Sequence, residues 1–489
     1  EPAPTENYTN TESSAASDVY KRQVHIDNDV DLRYIIRQVA VSVIAKIRAP
    51  DKRDNSMTIR FGLRAMRKKF RGISVPGDLD AITHIDDDRE VPASEAGLEQ
   101  AVVDAIWENT QKLYRSGAHP LISICLRRHG KILLNRSIGY QRGDADSPDA
   151  VVADLDTPIC LFSASKAISA MLLHLLAEQG EIHLLDPISY YIPAFAANGK
   201  SFITIYQLLA HRAGVPGLGE EVDPSLLYER EEVVRRICAS EPLDSHGRTA
   251  AYHALTGGFL IDELIRVTTG LTIQQYMDRY IRKPMDMRYF RFGVTRRDLP
   301  RVAEHRFTGL KPGKRMGGML ENVLGIELEE AIALSNSEDF RTAVLPSANI
   351  YCTAEEAGRF FQMLLEYGTH DGKQIMQPLT VHRAIQEAGK AQLDASLKMP
   401  MRYSAGFMLG GAPVGMYGPD THYAYGHLGL SNVMCWADPA RDISVAILNT
   451  GKPVLSNHIV PLFRLLFSIS RGAPATHDMA AKGAPFLAA

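Results

Sequence analysis

The sequence predicts a mixed α/β (α+β) fold, and three stretches carry that prediction. Near the start of the main domain, LISICLRRHGKILLNRSIGY (121–140) contains two β-rich runs around His129-Gly130, a hairpin pattern. Near its end, NVMCWADPARDISVAILNTG (432–451) predicts two more strands around a turn that contains a proline. The region between them, about 200–346, shows mostly helical patterns broken by glycine and proline. Strands at both ends with helices between them predict one domain whose termini meet in a single sheet.

Amphipathic patterns add helices around these strands. The stretches 99–117 and 163–179 each predict a helix that a glycine ends, and 456–470 predicts a terminal helix despite an internal proline. We therefore expect the main domain to cover about 94–470. The remaining residues, 471–489, are expected to form a flexible tail.

The N-terminal part of the sequence has a different character. Residues 1–23 are polar and lack any apolar period, which predicts disorder, and the run SSAASDVYKRQ resembles translated sequencing-adapter read-through, so this end is expected to be non-native. Residues 24–93 are expected to form a basic helical extension followed by a linker rich in Pro, Gly and acidic residues. Basic residues crowd into 46–71. They indicate either an arm packed on the main domain with a solvated face, which we favour, or a peripheral membrane or polyanion contact.

Composition excludes several classes of protein. The formal net charge of −3 argues against a chain built around nucleic acid. No apolar run is long enough to span a bilayer. The five cysteines are scattered and form no C-x-x-C pair, which favours thiols in a reducing compartment, and a cytoplasmic location is expected on that basis.

Ser163 and Lys166 stand one turn apart at the start of a predicted helix, in the run LFSASK. Residues three apart share a helix face, so the lysine amine can reach the serine hydroxyl. Burial beside the positive end of the helix dipole disfavours the charged amine, and a neutral amine can take the serine proton. The alternative is a serine N-cap with a solvent-facing lysine. Because this is the only Ser-x-x-Lys in the chain and its flanks are apolar, we favour the nucleophile.

Other catalytic motifs are missing from the sequence. There is no G-x-S-x-G, so the nucleophile elbow of the α/β-hydrolases is excluded. There is also no H-E-x-x-H or other plausible metal cluster. The sequence predicts neither a metal nor a cofactor.

A family resemblance extends this interpretation. The segment DTPICLFSASKAISAMLLHLLAEQGEIHLLDPISYYIPAF is similar to the nucleophile region of the serine β-lactamase and penicillin-binding-protein superfamily, above all to the β-lactamase-like carboxylesterases called family VIII. Further segments resemble the family's landmarks in the same order, namely 203–218, 252–270, 345–368 and 424–439. The resemblance covers about 94–466. It implies a β-lactamase/transpeptidase-like fold, in which an antiparallel sheet is flanked by helices beside a mostly helical subdomain.

The resemblance also implies roles for three residues. Ser163 would be the acylated nucleophile and Lys166 its base. Tyr252 matches the family tyrosine, whose hydroxyl moves the proton between nucleophile, leaving group and water. A phenol with an ordinary pKa near ~10 needs a cation such as Lys166 nearby to act as a phenolate. The alternative for Tyr252 is an aromatic side chain that packs on the core.

A second part of the site is implied at His427-Leu428-Gly429, where lactamases carry Lys-Thr-Gly. His427 would make a hydrogen bond near the tyrosine. Gly429 would let substrate approach the backbone. The N–H of Leu430 would be the second oxyanion donor beside that of Ser163.

One departure from the family pattern bears on the substrate. The chain has Tyr252-His253-Ala254 where peptidases and many lactamases have Tyr-x-Asn or Ser-x-Asn. The missing amide, together with the missing lysine of Lys-Thr-Gly, favours neutral esters over β-lactams and peptides. We expect His253 to be a packed histidine rather than a contact of the reactive groups.

The expected function is therefore a carboxylesterase that acts through an acyl-serine intermediate on a small-molecule ester. An acyltransferase and a weak β-lactamase or D-Ala-D-Ala peptidase are alternatives with the same chemistry. A non-enzymatic, membrane-associated module with the basic residues 46–71 as its working part is the alternative from a different class.

Overall fold

The predicted hairpin forms part of the main sheet. In the computed structural model of the chain, which describes residues 71–219 and 223–476, strands β2 (Leu121–Arg128) and β3 (Lys131–Arg142) run antiparallel. The two residues that join them, His129 and Gly130, have φ values of 52° and 76°. A two-residue hairpin loop of this kind needs positive φ at both positions, and glycine adopts it without strain.

Strands from both ends of the domain pair in one sheet, as predicted. Within the described residues the sheet has eight strands, in the order β1-β3-β2-β17-β16-β15-β12 with β4 beside β3, and every neighbouring pair is antiparallel. The strand β17 from the C-terminal region pairs directly with β2. The other strands of this sheet are β1 (Thr83–Ile85), β4 (Val151–Val152), β12 (Met408–Leu409), β15 (Tyr425–Leu428), β16 (Met434–Asp438) and β17 (Ile443–Asn449).

Short strand groups and helices make up the rest of the described fold. One three-stranded group has the order β5-β7-β6, and three two-stranded ribbons pair β8 with β9, β10 with β11 and β13 with β14. These strands are β5 (Ile159–Cys160), β6 (Arg291–Phe292), β7 (Ile350–Cys352), β8 (Thr369–His370), β9 (Lys373–Gln374), β10 (Gln392–Leu393), β11 (Pro400–Met401), β13 (Val414–Gly415) and β14 (Gly418–Pro419). The described α-helices are α1 (Gln100–Tyr114), α2 (Ser165–Glu178), α3 (Ile188–Tyr191), α4 (Ile205–Leu209), α5 (Arg230–Ala239), α6 (Thr256–Thr269), α7 (Ile273–Met277), α8 (Lys314–Leu324), α9 (Leu328–Ser335), α10 (Glu338–Thr342), α11 (Ala354–Leu365), α12 (Pro378–Ile385) and α13 (Ile459–Gly472).

Both faces of the main sheet are buried. Alternate residues of β2 point to opposite faces, so Ile122 and Ile124 join the apolar core that includes residues of α1 and α13, whereas Cys125 joins the core that includes residues of α2 and α11. This two-sided burial explains why β2 is almost continuously buried instead of alternating between buried and exposed residues. None of the helices within the described ranges combines the length and the apolar character that a membrane crossing requires.

Residues 72–92, which the sequence suggested as a linker, belong to the folded unit. Strand β1 extends the main sheet by pairing with β3, and the side chains of Ile73, Leu79 and Ile82 are buried. Two acidic residues of this stretch, Asp86 and Glu90, bind groups of β3, whereas Asp87 and Asp88 are exposed. Asp86 accepts a 2.6 Å hydrogen bond from Asn135, and Glu90 forms an ion pair with Arg136 of β3.

The chain ends differ in how far the structure describes them. The expected disorder of 1–23 and the basic extension up to residue 70 lie outside the described residues. At the other end, α13 runs through Gly472, and the amide of Thr476 donates to the carbonyl of Ala440. The first residues of the expected tail are therefore packed, and 477–489 lie outside the described residues.

Candidate active site

The Ser163 side chain lies on a tight turn between a buried strand and a buried helix. Strand β5 leads into a 3-10 turn, Phe162–Ala164, which continues directly into α2. Phe162 has φ = 47°, an unusual conformation for a non-glycine residue and one often found at functional sites. Ser163 does not cap α2, because the N-cap position is Ala164 and no side chain caps it. The alternative of a capping serine therefore does not describe this turn.

Lys166 is buried next to the serine hydroxyl. Its Nζ lies 3.1 Å from Ser163 Oγ and donates a 3.0 Å hydrogen bond to the carbonyl of Ser347. Only 7 % of the side chain is exposed, and this burial lowers its pKa to about 7. A large share of the Lys166 amine is therefore neutral at physiological pH, and it contacts the hydroxyl that it could deprotonate.

Tyr252 completes a group of three side chains that the structure brings together. Lys166 Nζ lies 5.0 Å from the centroid of the Tyr252 ring. Burial raises the pKa of Tyr252, and a hydrogen bond with the Ser163 side chain opposes this only partly. Burial therefore favours the protonated phenol at neutral pH, and the role expected for Tyr252 stays a prediction.

His427 is a neutral hydrogen-bond acceptor on β15. Its Nδ1 lies 2.8 Å from the Leu428 carbonyl oxygen, so Nδ1 carries the proton and Nε2 holds a lone pair. Burial, and then the charge of Lys166, lowers its pKa to about 3. Nε2 is buried without a partner among the described residues, and the ring centroid lies 6.1 Å from that of Tyr252.

Gly429 is needed for a reason other than the predicted one. A Cβ at this position would lie 2.2 Å from the backbone oxygen of Leu161, so glycine lets the end of β15 approach the chain that leads into the nucleophile turn. The protein itself, rather than a substrate, occupies that space. The Gly429 amide donates to Val433, whereas the amides of Leu430 and Ser163 donate to no acceptor within the described ranges.

Two histidines beside Tyr252 form a pair that sequence reasoning did not identify. Val215 N–H donates to His253 Nε2, so His253 Nδ1 carries its proton and faces the Nδ1 of His211 at 3.3 Å. The centroid of the His211 ring lies 4.8 Å from that of the Tyr252 ring. His253 is only 1 % exposed, as expected for a packed histidine. No local spacing links His211 to the site, since the fold alone brings it there.

Asp394 is the second residue that the sequence did not reveal. Its Oδ1 accepts hydrogen bonds from the Tyr252 amide at 3.1 Å and from the amides of Ser396 and Leu397 at 2.8 Å each. Its Oδ2 accepts from the Tyr403 hydroxyl at 3.0 Å. This buried carboxylate fixes the backbone of Tyr252, although it lies 142 residues away in the sequence.

The described part of the chain offers no group of His, Cys, Asp or Glu side chains arranged to hold a metal ion. The groups around Ser163 can supply a nucleophile and a base: a half-buried hydroxyl, an amine with a lowered pKa, a phenol and two backbone amides without acceptors among the described residues.

Known proteins resemble this chain in sequence and in fold. The family model described as Beta-lactamase matches residues 100–461. The chain is 28% identical over 330 residues to "Esterase/beta-lactamase LipL" of Mycobacterium tuberculosis, an alignment that covers 63% of this chain and 72% of that protein. A family VIII carboxylesterase structure superposes with a TM-score of 0.66 at 23% identity, and a penicillin-binding-protein homologue from Caulobacter crescentus with 0.63 at 24%; each likeness covers 76% of this chain and 97% of the other. These structures confirm the predicted β-lactamase/transpeptidase-like fold.

Proposed function

Since the chain belongs to the beta-lactamase family, we propose that it is a serine hydrolase that cleaves carboxylic esters through an acyl-serine intermediate. One observation carries the proposal: Ser163 Oγ lies 3.1 Å from the Nζ of a buried lysine whose pKa is lowered to about 7. A hydroxyl next to a neutral amine can be deprotonated as it attacks, which is the requirement for a serine nucleophile.

The first half of the proposed reaction forms the acyl-enzyme. Lys166 Nζ takes the proton of Ser163 Oγ while Oγ forms a bond to the ester carbonyl carbon. The carbonyl oxygen gains negative charge and accepts hydrogen bonds from the free amides of Ser163 and Leu430. When the intermediate collapses, the departing alkoxide takes the phenol proton of Tyr252, and the Lys166 ammonium returns a proton to Tyr252.

The second half releases the acid. Water attacks the acyl carbonyl carbon and transfers a proton through Tyr252 and Lys166, and the bond from carbon to Ser163 Oγ breaks as that oxygen regains its proton. An alcohol that replaced water at this step would give transesterification, so hydrolysis and acyl transfer differ only in which nucleophile reaches the acyl-serine. No cofactor takes part in either half.

The preference for esters rests on the charge of the site. The carboxylate of a penicillin needs a cationic or strongly donating partner, whereas His427 is neutral and presents a lone pair on Nε2. Ala254 offers no side-chain amide for a peptide or lactam carbonyl. A neutral ester makes neither demand, so it is the substrate that these residues fit.

A side-by-side assay tests the proposal. Purified protein is offered p-nitrophenyl acetate, nitrocefin and a D-Ala-D-Ala peptide, and the Ser163→Ala variant is the control. We expect ester turnover to exceed that of the other two substrates by at least an order of magnitude and to vanish in Ser163→Ala, whose thermal unfolding stays within a few degrees of wild type. Preferred cleavage of nitrocefin or peptide would reverse the assignment, and a folded wild-type protein inert to all three would support a binding module instead.

A further inference from the structure

Tyr252 contacts both the reactive groups Ser163 and Lys166 and a cluster of apolar side chains. The buried members of this cluster, besides Tyr252, are Met401, Tyr403 and Met408. Half-buried apolar side chains pack against this cluster, namely Ala254, Val323, Leu397, Met416 and Leu428. A group attached to Ser163 therefore lies next to an apolar surface that the protein covers only in part.

Helix α8 (Lys314–Leu324) extends this surface. Its apolar side chains Met316, Met319, Leu320 and Val323 follow the spacing of one helix face, and none of them is fully buried. Val323 packs against the cluster that contains Tyr252, so this face is turned toward the site. The neighbouring residues Glu321 and Asn322 are exposed on the other side of the helix.

From this continuity we propose that the face of α8 and the cluster beside Tyr252 bind the apolar acyl chain of the substrate, so that the enzyme acts on esters of medium-chain fatty acids. The inference rests on the proposed function, because the chain is held to the protein through an ester carbonyl at Ser163. Covering a half-exposed apolar face with an alkyl chain removes apolar area from water on both partners.

The composition of the surface suits a flexible alkyl chain. Methionine side chains are unbranched and adapt to irregular shapes, and the surface contains several of them. Gly317 and Gly318 lie inside α8, where glycine weakens a helix, and a Cβ at Gly318 would meet nothing within 4 Å. Close packing does not require these glycines, so they loosen a helix that must adjust to chains of different length.

Two charged groups near the surface already have partners. Asp394 accepts hydrogen bonds from backbone amides and from Tyr403. Arg402 forms a 2.9 Å ion pair with Glu387 and donates to the Gly410 carbonyl. Neither group is free to bind a charged or strongly polar acyl group, whose burial without a hydrogen bond is unfavourable.

A matched pair of substitutions on α8 tests the inference. Val323→Ser, combined with Met319→Ser, makes the inner face polar, and Asn322→Ser introduces the same residue on the outer face. For each protein, kcat/KM is measured with p-nitrophenyl octanoate and p-nitrophenyl acetate. Because one methylene in an apolar pocket is already worth about tenfold in discrimination, we expect the octanoate-to-acetate ratio to fall at least about tenfold in the inner-face variant and to stay within about twofold in Asn322→Ser.

Acetate turnover and fluorophosphonate labelling report on the reactive site in the same samples. An unchanged octanoate-to-acetate ratio in an inner-face variant that still cleaves acetate would overturn the acyl-chain site and leave the ester hydrolase standing. A wild-type enzyme that cleaves acetate far faster than octanoate would also overturn it. Loss of all ester cleavage and labelling from the wild-type protein would instead remove the proposed function on which the inference rests.

Discussion

Lys166 carries an amine that is buried against Tyr252 and the Ser347 carbonyl, with burial as the cause of its lowered pKa. Only the neutral form can accept the Ser163 proton. As pH rises through about 7, the neutral fraction grows, so kcat/KM for an ester should rise and then level off. The apparent pKa belongs to the coupled Lys166 and Tyr252 rather than to either alone. A profile that falls across this range would contradict the role of the amine.

Lys166→Arg separates a base from a fixed charge at the same position. A guanidinium stays protonated throughout the accessible pH range and cannot take the serine proton. We therefore expect Lys166→Arg to be nearly as inactive as Lys166→Ala, with a loss of at least two orders of magnitude in kcat. Wild-type turnover in Lys166→Arg would show that the lysine acts only as a charge and that the base lies elsewhere.

Tyr252 supplies a proton in the proposed reaction, because burial keeps its phenol protonated. Tyr252→Phe removes the hydroxyl and keeps the ring that packs against Met401 and Met408. The variant should fold normally and lose most turnover. The loss should be larger for an ethyl ester than for a p-nitrophenyl ester, since a poor leaving group depends more on protonation. Equal losses for the two esters would indicate a structural rather than a proton-donating role. We expect a milder loss in His427→Ala, because its ring takes no proton in the proposed steps.

At the scale of single residues, the sequence predicts what local spacing encodes. Ser163 and Lys166 are three residues apart in one helix start, so their contact follows from helix geometry. Asp394 and His211 reach Tyr252 only through the fold, and neither stands in a spacing pattern that marks it. Tyr252 itself was found through a resemblance to a family, since a single tyrosine before a helix carries no chemical signature.

Among the structural elements, β15 lies directly against the nucleophile turn. It packs against the Phe162–Ala164 turn, and Gly429 leaves room for the Leu161 carbonyl. In Gly429→Ala the new methyl group would overlap that oxygen, so strand or turn must shift. We expect a loss of about 1–3 kcal/mol in unfolding free energy and at least tenfold in kcat, measured by denaturant unfolding and ester assay.

Gly77→Ala is the matched control for that substitution, because a Cβ at Gly77 meets nothing within 4 Å. It should leave both stability and turnover close to wild type. A Gly429→Ala variant that behaves like the control would show that β15 tolerates displacement and does not set the position of Ser163.

Elements with a strong period were predicted well, and irregular ones were not. The hairpin β2–β3, the strands β16 and β17, and the helices α1, α2 and α13 follow from apolar patterns and from turn residues such as Gly130. Strand β1 has only three residues, and its place in the sheet depends on pairing with β3. Its flanking acidic residues suggested a linker, because the sequence does not show that Asp86 and Glu90 bind Asn135 and Arg136 of β3.

Across the whole molecule, buried titratable groups set how stability depends on pH. Burial lowers the pKa of several described histidines, among them His119, His174, His211, His253, His305, His427 and His458. Below the ordinary histidine pKa of ~6.5, these histidines bind protons in the unfolded chain but not in the folded chain, so the unfolding free energy falls as pH falls. Lys166 and Lys452, each with its pKa lowered to about 7, act in the same direction above pH 7.

The cysteines reverse this trend at higher pH. All five are buried and free, and burial raises the pKa of each thiol. Above the ordinary thiol pKa of ~8.5, the unfolded chain loses protons that the folded chain keeps, and stability falls again. We therefore expect the unfolding free energy, measured by denaturant titration under reducing conditions, to rise from pH 5 to about 8 and decline beyond it. Maximal stability at or below pH 6 would contradict this account.

Ser163 is the nucleophile in the proposed reaction, and every other assigned role depends on it. A fluorophosphonate probe tests this assignment directly. The probe forms a stable bond with an activated serine, and peptide mass mapping then locates it. We predict one equivalent of probe per chain, attached to the peptide that contains Ser163, with ester turnover lost in proportion and no labelling of Ser163→Ala. A probe that abolishes turnover while attached to another residue, or an active esterase that the probe does not label, would contradict the proposed mechanism.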